Sequence, residues 1–191
     1  NDSKGISWIG SRAQGLFRYD PETDAVSKID LKNPEGKPVR DIYRIVIDRN
    51  DKMHVAVYCD NLYSLTSDFN MERLATSGKA GYFEKDDIEG IVLNPNSNNQ
   101  MFIASKRHGL CRLDLRTGEV SVLVTLPADS RPVSLSENDG ILRGKILGRK
   151  RHLFDIEARQ CRQIFVVRRL YHDGNPDSRR EPVHRHDHAR H

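Results

Sequence analysis

The chain has 191 residues, enough for one sizeable core. Lys and Arg number 31 against 27 Asp and Glu, a net charge of +4, and half of that excess falls in the last 24 residues, which hold six Arg against four acids. So balanced a body argues against a nucleic-acid binder, and no apolar run reaches membrane-spanning length. The three cysteines, Cys59, Cys111 and Cys161, are widely spaced with no CxxC, which supports neither a disulfide framework nor a zinc site.

Taken in chain order, the sequence repeats itself. "SWIGSRAQGLFRYDPETDAVSKI" (7–29) aligns with "MHVAVYCDNLYSLTSDFNMERL" (53–74) and "MFIASKRHGLCRLDLRTGEVSVL" (101–123). Leu16, Leu62 and Leu110 coincide at spacings of 46 and 48 residues, each preceded by Gly15, Asn61 or Gly109. Ile9, Val55 and Ile103 also coincide, each followed by a small residue, Gly10, Ala56 or Ala104. A blurred fourth copy runs over 133–165.

Each unit reads as short alternating strands: "DIYRIVI" (41–47), a turn at 48–51, "MHVAVY", "NLYSL" and a weak "MERLA". The third unit follows suit with "IEGIVL", the turn "NPNSNN", "MFIAS", "GLCRL", the turn "DLRTGE" and "VSVLVTL". Strands bounded by Gly, Pro, Asn and Asp clusters predict an all-β chain. Gly15, Gly109 and Asn61 stand where a hairpin turn needs a positive φ. Four strands per repeat at a period in the forties predicts β-propeller blades, whereas a β-sandwich would not repeat its turn chemistry at fixed offsets. The expected architecture is an all-β propeller fragment of about four four-stranded antiparallel blades, not a closed ring. Its expected units are 1–32 (a partial first blade), 38–76, 86–126, 131–166 (divergent) and 167–191, the start of a further blade with a His- and Arg-rich tail. Fewer blades than a closed ring leave two sheet faces bare, so the chain alone is expected to aggregate or to lean on another segment.

"WIGSRAQGLFRYDPETD" (8–24) closely resembles the repeat unit of the two-component regulator propeller family, and "IYRIVIDRNDKMHVAVYCDNLYSL" (42–65) fits its longer pattern. The resemblance spans roughly residues 5–165. Later units depart from it: His54 and Phe102 stand in place of Trp8, and Val57 in place of the Ser or Thr. Those departures leave room for lyase-type or quinoprotein-like propellers. The resemblance implies a periplasmic or other extracytoplasmic sensor of a bacterial hybrid two-component system. Its partners would be a small-molecule or oligosaccharide ligand and the remaining blades and signalling domains of the parent protein, with the membrane reached only through other segments of that parent. Neither nucleic acid nor a cofactor is implied. The rival readings are a propeller enzyme, a lyase or a glycan-active enzyme, and a protein-interaction propeller.

The tail poses its own question. "RRLYHDGNP" (168–176) supplies a strand start and an Asp-Gly-Asn turn for a fifth unit, but "DSRREPVHRHDHARH" (177–191) then breaks the pattern. Read one nucleotide out of frame, the codon junctions from Arg179–Arg180 to His186–Asp187 permit D-G-N-L-[FY]-I-G-T. Arg190–His191 permits a Gly four places further on, just as Gly15 falls four after Ser11. About the last fifteen residues are therefore expected to be an out-of-frame continuation of blade five. An intact shifted frame without a propeller repeat would end that idea. His184, His186 and His188 alternate, so an extended strand would put them on one face. Arginines and a proline surround them with no ordered second layer of ligands, so the expectation is adventitious metal binding only.

In a propeller the loops between second and third strands share a face with the loops that lead into each blade. That face is expected to display Arg12 and Gln14, Asp60 and Asn61, Arg107 and His108, and Arg149 and Lys150. The leading loops add Arg40, Tyr82, Phe83 and Arg131. Amides, carboxylates, Arg forks and aromatics suit sugar hydroxyls or acidic sugars. Asp20, Asp114 and Asp155 recur after a strand, which suits Asx turn caps better than paired catalytic carboxylates. "DRNDK" (48–52) lacks the spaced acids of a calcium loop, and "GKILGRKRH" (144–152) lacks Walker spacing. Trp8 is expected in blade packing rather than as a sugar platform. No nucleophile–base pair stands out, so no catalytic residue is expected.

Overall fold

The computed structural model describes residues 1–75, 81–126, 130–138, 141–147, 153–159 and 163–169. The first sheet has three strands in the order β1 (Ser7–Ser11), β2 (Gly15–Asp20), β3 (Ala25–Ile29). A two-stranded hairpin follows, β4 (Leu31–Lys32) and β5 (Pro38–Val39). The second sheet runs β6 (Ile42–Ile47), β7 (Met53–Val57), β8 (Leu62–Leu65), β9 (Met71–Arg73). The third runs β10 (Ile88–Leu93), β11 (Gln100–Ser105), β12 (Gly109–Asp114), β13 (Val120–Val124). The fourth runs β14 (Arg131–Asn138), β15 (Ile141–Leu147), β16 (Leu153–Arg159), β17 (Gln163–Arg169). Every pairing is antiparallel between chain neighbours, so each four-stranded sheet is a meander, as the repeat predicts.

The core lies between sheets rather than within one. One cluster sets Leu16, Val39 and Trp8 against Ile42, Val55 and Tyr63, joining the first and second sheets. The next joins Ala56 and Leu62 to Phe83, Ile88, Met101 and Ile103. The third sets Phe102 and Leu110 against Leu142. Alternation explains the layering: Val55 faces back to the first sheet while Ala56 faces forward to the third. The leading strands pack on one another in series, β1 on β6, β6 on β10 and β10 on β14. They approach closely because two positions carry no side chain. A Cβ on Gly10 would sit 2.6 Å from Ile42 Cγ2, and one on Gly90 would sit 2.6 Å from Leu135 Cβ.

Turn caps repeat with the sheets. The Asp48 carboxylate accepts from Asn50 N at 2.8 Å and Lys52 N at 2.9 Å. Asp2 does the same for Lys4 N and Ile6 N, both at 3.0 Å, and Asn94 for Asn96 N at 3.0 Å. "DRNDK" is therefore an Asx-capped turn. Asp20 accepts from Glu22 N, and Asp114 from Arg116 N and Thr117 N, which makes both of them turn caps too. Trp8 packs 5.6 Å from Phe69 and donates to Asp2 Oδ2 at 3.0 Å, a place inside the sheet stack.

Two local expectations are corrected. Gly15 and Gly109 have φ of +93° and +84°, but Asn61 does not carry the positive φ of its turn; Cys59 does, at +51°. Asp60 N donates to Val57 O at 3.2 Å, so the turn closes two residues early. That leaves Asn61 buried, where its side-chain oxygen accepts from Leu62 N at 3.1 Å. Further on, residues 168 and 169 do not open a fifth unit. Arg168 pairs with Phe154 and Arg169 with Leu153, so both finish the outer strand of the fourth sheet. The rest of the tail, with its proposed frameshift and His184, His186 and His188, lies outside the described residues, as do Arg149 and Lys150.

Candidate functional site

The turn between β1 and β2 and the turn between β7 and β8 both meet the segments that lead into the next sheet. Ala13 N and Gly15 N both donate to Arg40 O, at 3.2 and 2.8 Å, and Arg12 bridges Asp41. One sheet further on, Lys85 N donates to Asp60 O at 2.6 Å and Asp60 bridges Asp86. The same stitch at successive sheets fixes a common face for these residues. Arg131 heads β14, at the corresponding end of the fourth sheet.

The predicted residues separate into three kinds. Arg12, Gln14, Arg40 and Arg107 are exposed there. Phe83 and Asn61 are buried instead, Phe83 completely, and are part of the packing beneath the face. Asp60, Tyr82 and His108 are half-buried. Tyr82 and His108 stack with ring centroids 4.4 Å apart, and Phe83 meets both edge-on at 5.1 and 5.9 Å. Tyr63 donates to Asp60 Oδ2 at 3.0 Å. Burial first, and then the Asp60 charge, hold the Tyr63 phenol far above its ordinary range.

Much of the polar chemistry between the second and third turns is internal bracing. Buried Asp86 accepts from Ser105 Oγ at 2.5 Å and from Arg107 N at 3.2 Å. The Arg107 guanidinium donates to Glu84 O and Lys85 O, at 3.1 and 3.2 Å. Asp87 accepts from the Cys59 thiol and from Lys106, both at 3.0 Å. The Cys59 bond, more than the lysine, keeps the Asp87 carboxyl below its usual value, and the same bond raises the thiol. Cys59 is thus a poor nucleophile. Burial pushes the Cys111 thiol up to about 12, which makes it a core residue rather than a reactive one.

The open part of the face is built from residues that the repeat alone did not single out. Strands β6, β10 and β14 each carry a register shift at the same place: between Ile42 and Arg44, between Ile88 and Gly90, and between Pro132 and Ser134. A bulge turns a side chain out of the pleat. Here Tyr43 donates its hydroxyl to Glu89 Oε2 at 2.9 Å, tying the first bulge to the second. That bond, ahead of burial, raises the Tyr43 phenol. Arg44 reinforces the tie through Nε to Glu89 O and Nη1 to Tyr43 O, both at 2.9 Å. Its guanidinium lies 4.4 Å from the Tyr43 ring centroid. Arg12 lies 4.9 Å from the Tyr58 ring and 5.6 Å from that of Tyr43. The two tyrosine rings are 5.8 Å apart and inclined at 53°. Tyr43, Arg44, Tyr58 and Glu89 were legible to one signal only. Tyr43 and Glu89 interrupt apolar strands 46 residues apart.

Successive four-stranded antiparallel sheets, with a core between each pair and bulged leading strands, are the arrangement of a β-propeller. Comparison with solved structures supports that class. The chain is similar to the extracellular domain of BT4673 from B. thetaiotaomicron in two crystal structures, one describing that protein as a hybrid two component system and the other as a one component system. Identity is 16% and 15%, TM-score 0.61 and 0.66, with 91% and 94% of this chain covered. It spans only 20% and 23% of those chains. An auxiliary nutrient binding protein from Bacteroides thetaiotaomicron matches at TM-score 0.60 and 14% identity, over 84% of this chain and 38% of that one. The WD40 domain of Neurospora crassa Pan2 matches at TM-score 0.56 and 10% identity, over 82% and 44%. At these identities the likeness is one of fold. No family model and no curated protein matches the sequence.

Proposed function

We propose that this chain is part of a ligand-sensing propeller of a bacterial two-component regulator, working outside the cytoplasm and taking a small molecule or oligosaccharide on its turn face. The observation that carries the reading is the open cluster of Arg12, Tyr43, Arg44 and Tyr58 at the bulged leading strands. Half-exposed tyrosine rings offer flat apolar surface, and guanidinium forks and Glu89 offer directional hydrogen bonds. That combination orients a polyhydroxylated ring. The likeness in fold to extracellular sensor domains and to a nutrient-binding protein supports the same direction.

Sensing needs two states that bind the ligand unequally. The cluster joins two sheets through the Tyr43–Glu89 bond, so a ligand seated there would favour one setting of the second sheet against the third. In the parent protein that setting would pass to the signalling domains.

The test is calorimetric titration of the folded chain with a panel of oligosaccharides, for wild type and Tyr58→Ala. Saturable binding that weakens in Tyr58→Ala, with circular dichroism unchanged, is the expected result. A folded chain that captures proteins while no saccharide binds overturns the proposal.

A further inference from the structure

The same cluster presents an exposed guanidinium fork, Arg12, beside a second one and two tyrosine rings, and this names a ligand class. The inference rests on reading the turn face as the ligand site. Arg44 spends its Nε and Nη1 donors on two backbone carbonyls, Glu89 O and Tyr43 O, which satisfy hydrogen bonds without cancelling charge. Arg12 makes no side-chain hydrogen bond or ion pair among the described residues, and Arg44 makes no ion pair there. Glu89, the one carboxylate bonded into the cluster, accepts the Tyr43 hydroxyl. Asp41 bridges Arg12 through the backbone and also forms no ion pair among the described residues. Of the neighbouring acids, Asp60 accepts from Tyr63 and Asp86 from Ser105, and Asp87 is paired with Lys106.

Two guanidinium groups thus lie within 6 Å of one tyrosine centroid, at 4.4 and 5.6 Å. Beside aromatic rings, Coulomb attraction to an incoming anion is stronger than in bulk water. The planar guanidinium fork matches a carboxylate in two parallel hydrogen bonds, a fit that a lone hydroxyl does not offer. A neutral sugar would leave the Arg12 fork without that pair of bonds.

We propose that the ligand of this site is a uronate-bearing saccharide, its carboxylate held by Arg12 beside Arg44 and its ring laid on Tyr58. Arg12 is the variable part: it is exposed, and removing it breaks no described hydrogen bond. Arg44 is the fixed part, because it also braces the bulges.

The experiment compares the full chain's affinity for oligogalacturonates with that for the same oligosaccharides as methyl esters, which keep the rings and lose the charge. The variants are Arg12→Ala, Arg44→Lys and, as a control in the turn at the other end of the strands, Arg116→Ala. The expected result is preference for the free acid, a loss of about tenfold or more in Arg12→Ala, and no change in Arg116→Ala. Arg44→Lys keeps the charge but loses the fork, and a weaker hold on the acid in a folded variant is expected. Equal affinity for acid and ester overturns this inference and leaves the saccharide-binding reading standing. Equal losses in Arg12→Ala and Arg116→Ala reveal attraction to net charge alone and overturn it as well. Binding of neither acid nor ester by folded protein counts against both.

Discussion

Ile9, Val55 and Ile103 occupy the same place in three successive sheets, yet Ile9 is 50% exposed while Val55 and Ile103 are fully buried. Nothing in the side chain explains the difference. Val55 faces the first sheet and Ile103 faces the second, whereas the corresponding side of β1 has no sheet against it among the described residues. Val26, 64% exposed, shares the first sheet with Ile9. In a stack of like units, burial is conferred by the neighbour, and a terminal unit keeps its apolar pattern without that reward. The first sheet is thus built for company on both sides. Bare apolar surface of this kind drives association.

Truncation should read this contrast directly. Ile103→Ala is expected to cost about 2–5 kcal/mol in denaturant unfolding, and Ile9→Ala to stay within about 0.5 kcal/mol. Ile9→Lys should leave stability alone and reduce association, measured by light scattering. If Ile9→Ala proves as costly as Ile103→Ala, the first sheet is covered in solution. The close approaches should come next. Gly90→Ala places a methyl against Leu135 and is expected to cost about 1–3 kcal/mol. Gly36→Ala makes a control for strain without crowding, since a Cβ there meets nothing within 4 Å.

His54 gives a smaller effect tied to pH. It is buried where the first sheet has Trp8 and the third has Phe102. Its Nε2 lies 3.4 Å from Asp48 Oδ2, but burial outweighs that carboxylate and lowers its pKa below the ordinary 6.5. The unfolded chain then binds the proton more readily than the folded one. Stability from this residue is fully present above about pH 6.5 and is lost as pH falls from there toward the folded value. His54→Phe should flatten the pH profile of stability across that window. A profile unchanged by the substitution would show that another group governs it. Smallest of all, Asp114→Ala removes the acceptor for Arg116 N and Thr117 N at an exposed turn. It should lower the melting temperature slightly, with the transition as sharp as before.

The sequence displayed the meanders because alternation and turn residues are local properties, and they recur at a fixed offset. Asp20 and Asp114 were legible as caps for the same reason. The site was less so. Gly15 and Gly109 advertise a left-handed turn by their type, but Asn61 does not show that the chain turns early at Cys59 and buries it. Phe83 sits in a leading segment that looks exposed, yet only the packing of Ala56 and Leu62 against it decides that it is core. Tyr43, Arg44 and Glu89 depend on a bulge, which displaces one residue from the pleat and leaves no composition signal of its own. What joins them is a bond across 46 residues, visible once the sheets are stacked.

The most direct test of the whole account is amide chemical-shift mapping of the labelled chain during titration with oligogalacturonate. The account predicts shifts at Arg12, Tyr43, Arg44, Tyr58 and Glu89, with the opposite-end turns at 48–52 and 114–118 unmoved. Shifts concentrated in those opposite-end turns would contradict it, and so would saturating binding with no perturbation of the bulged strands.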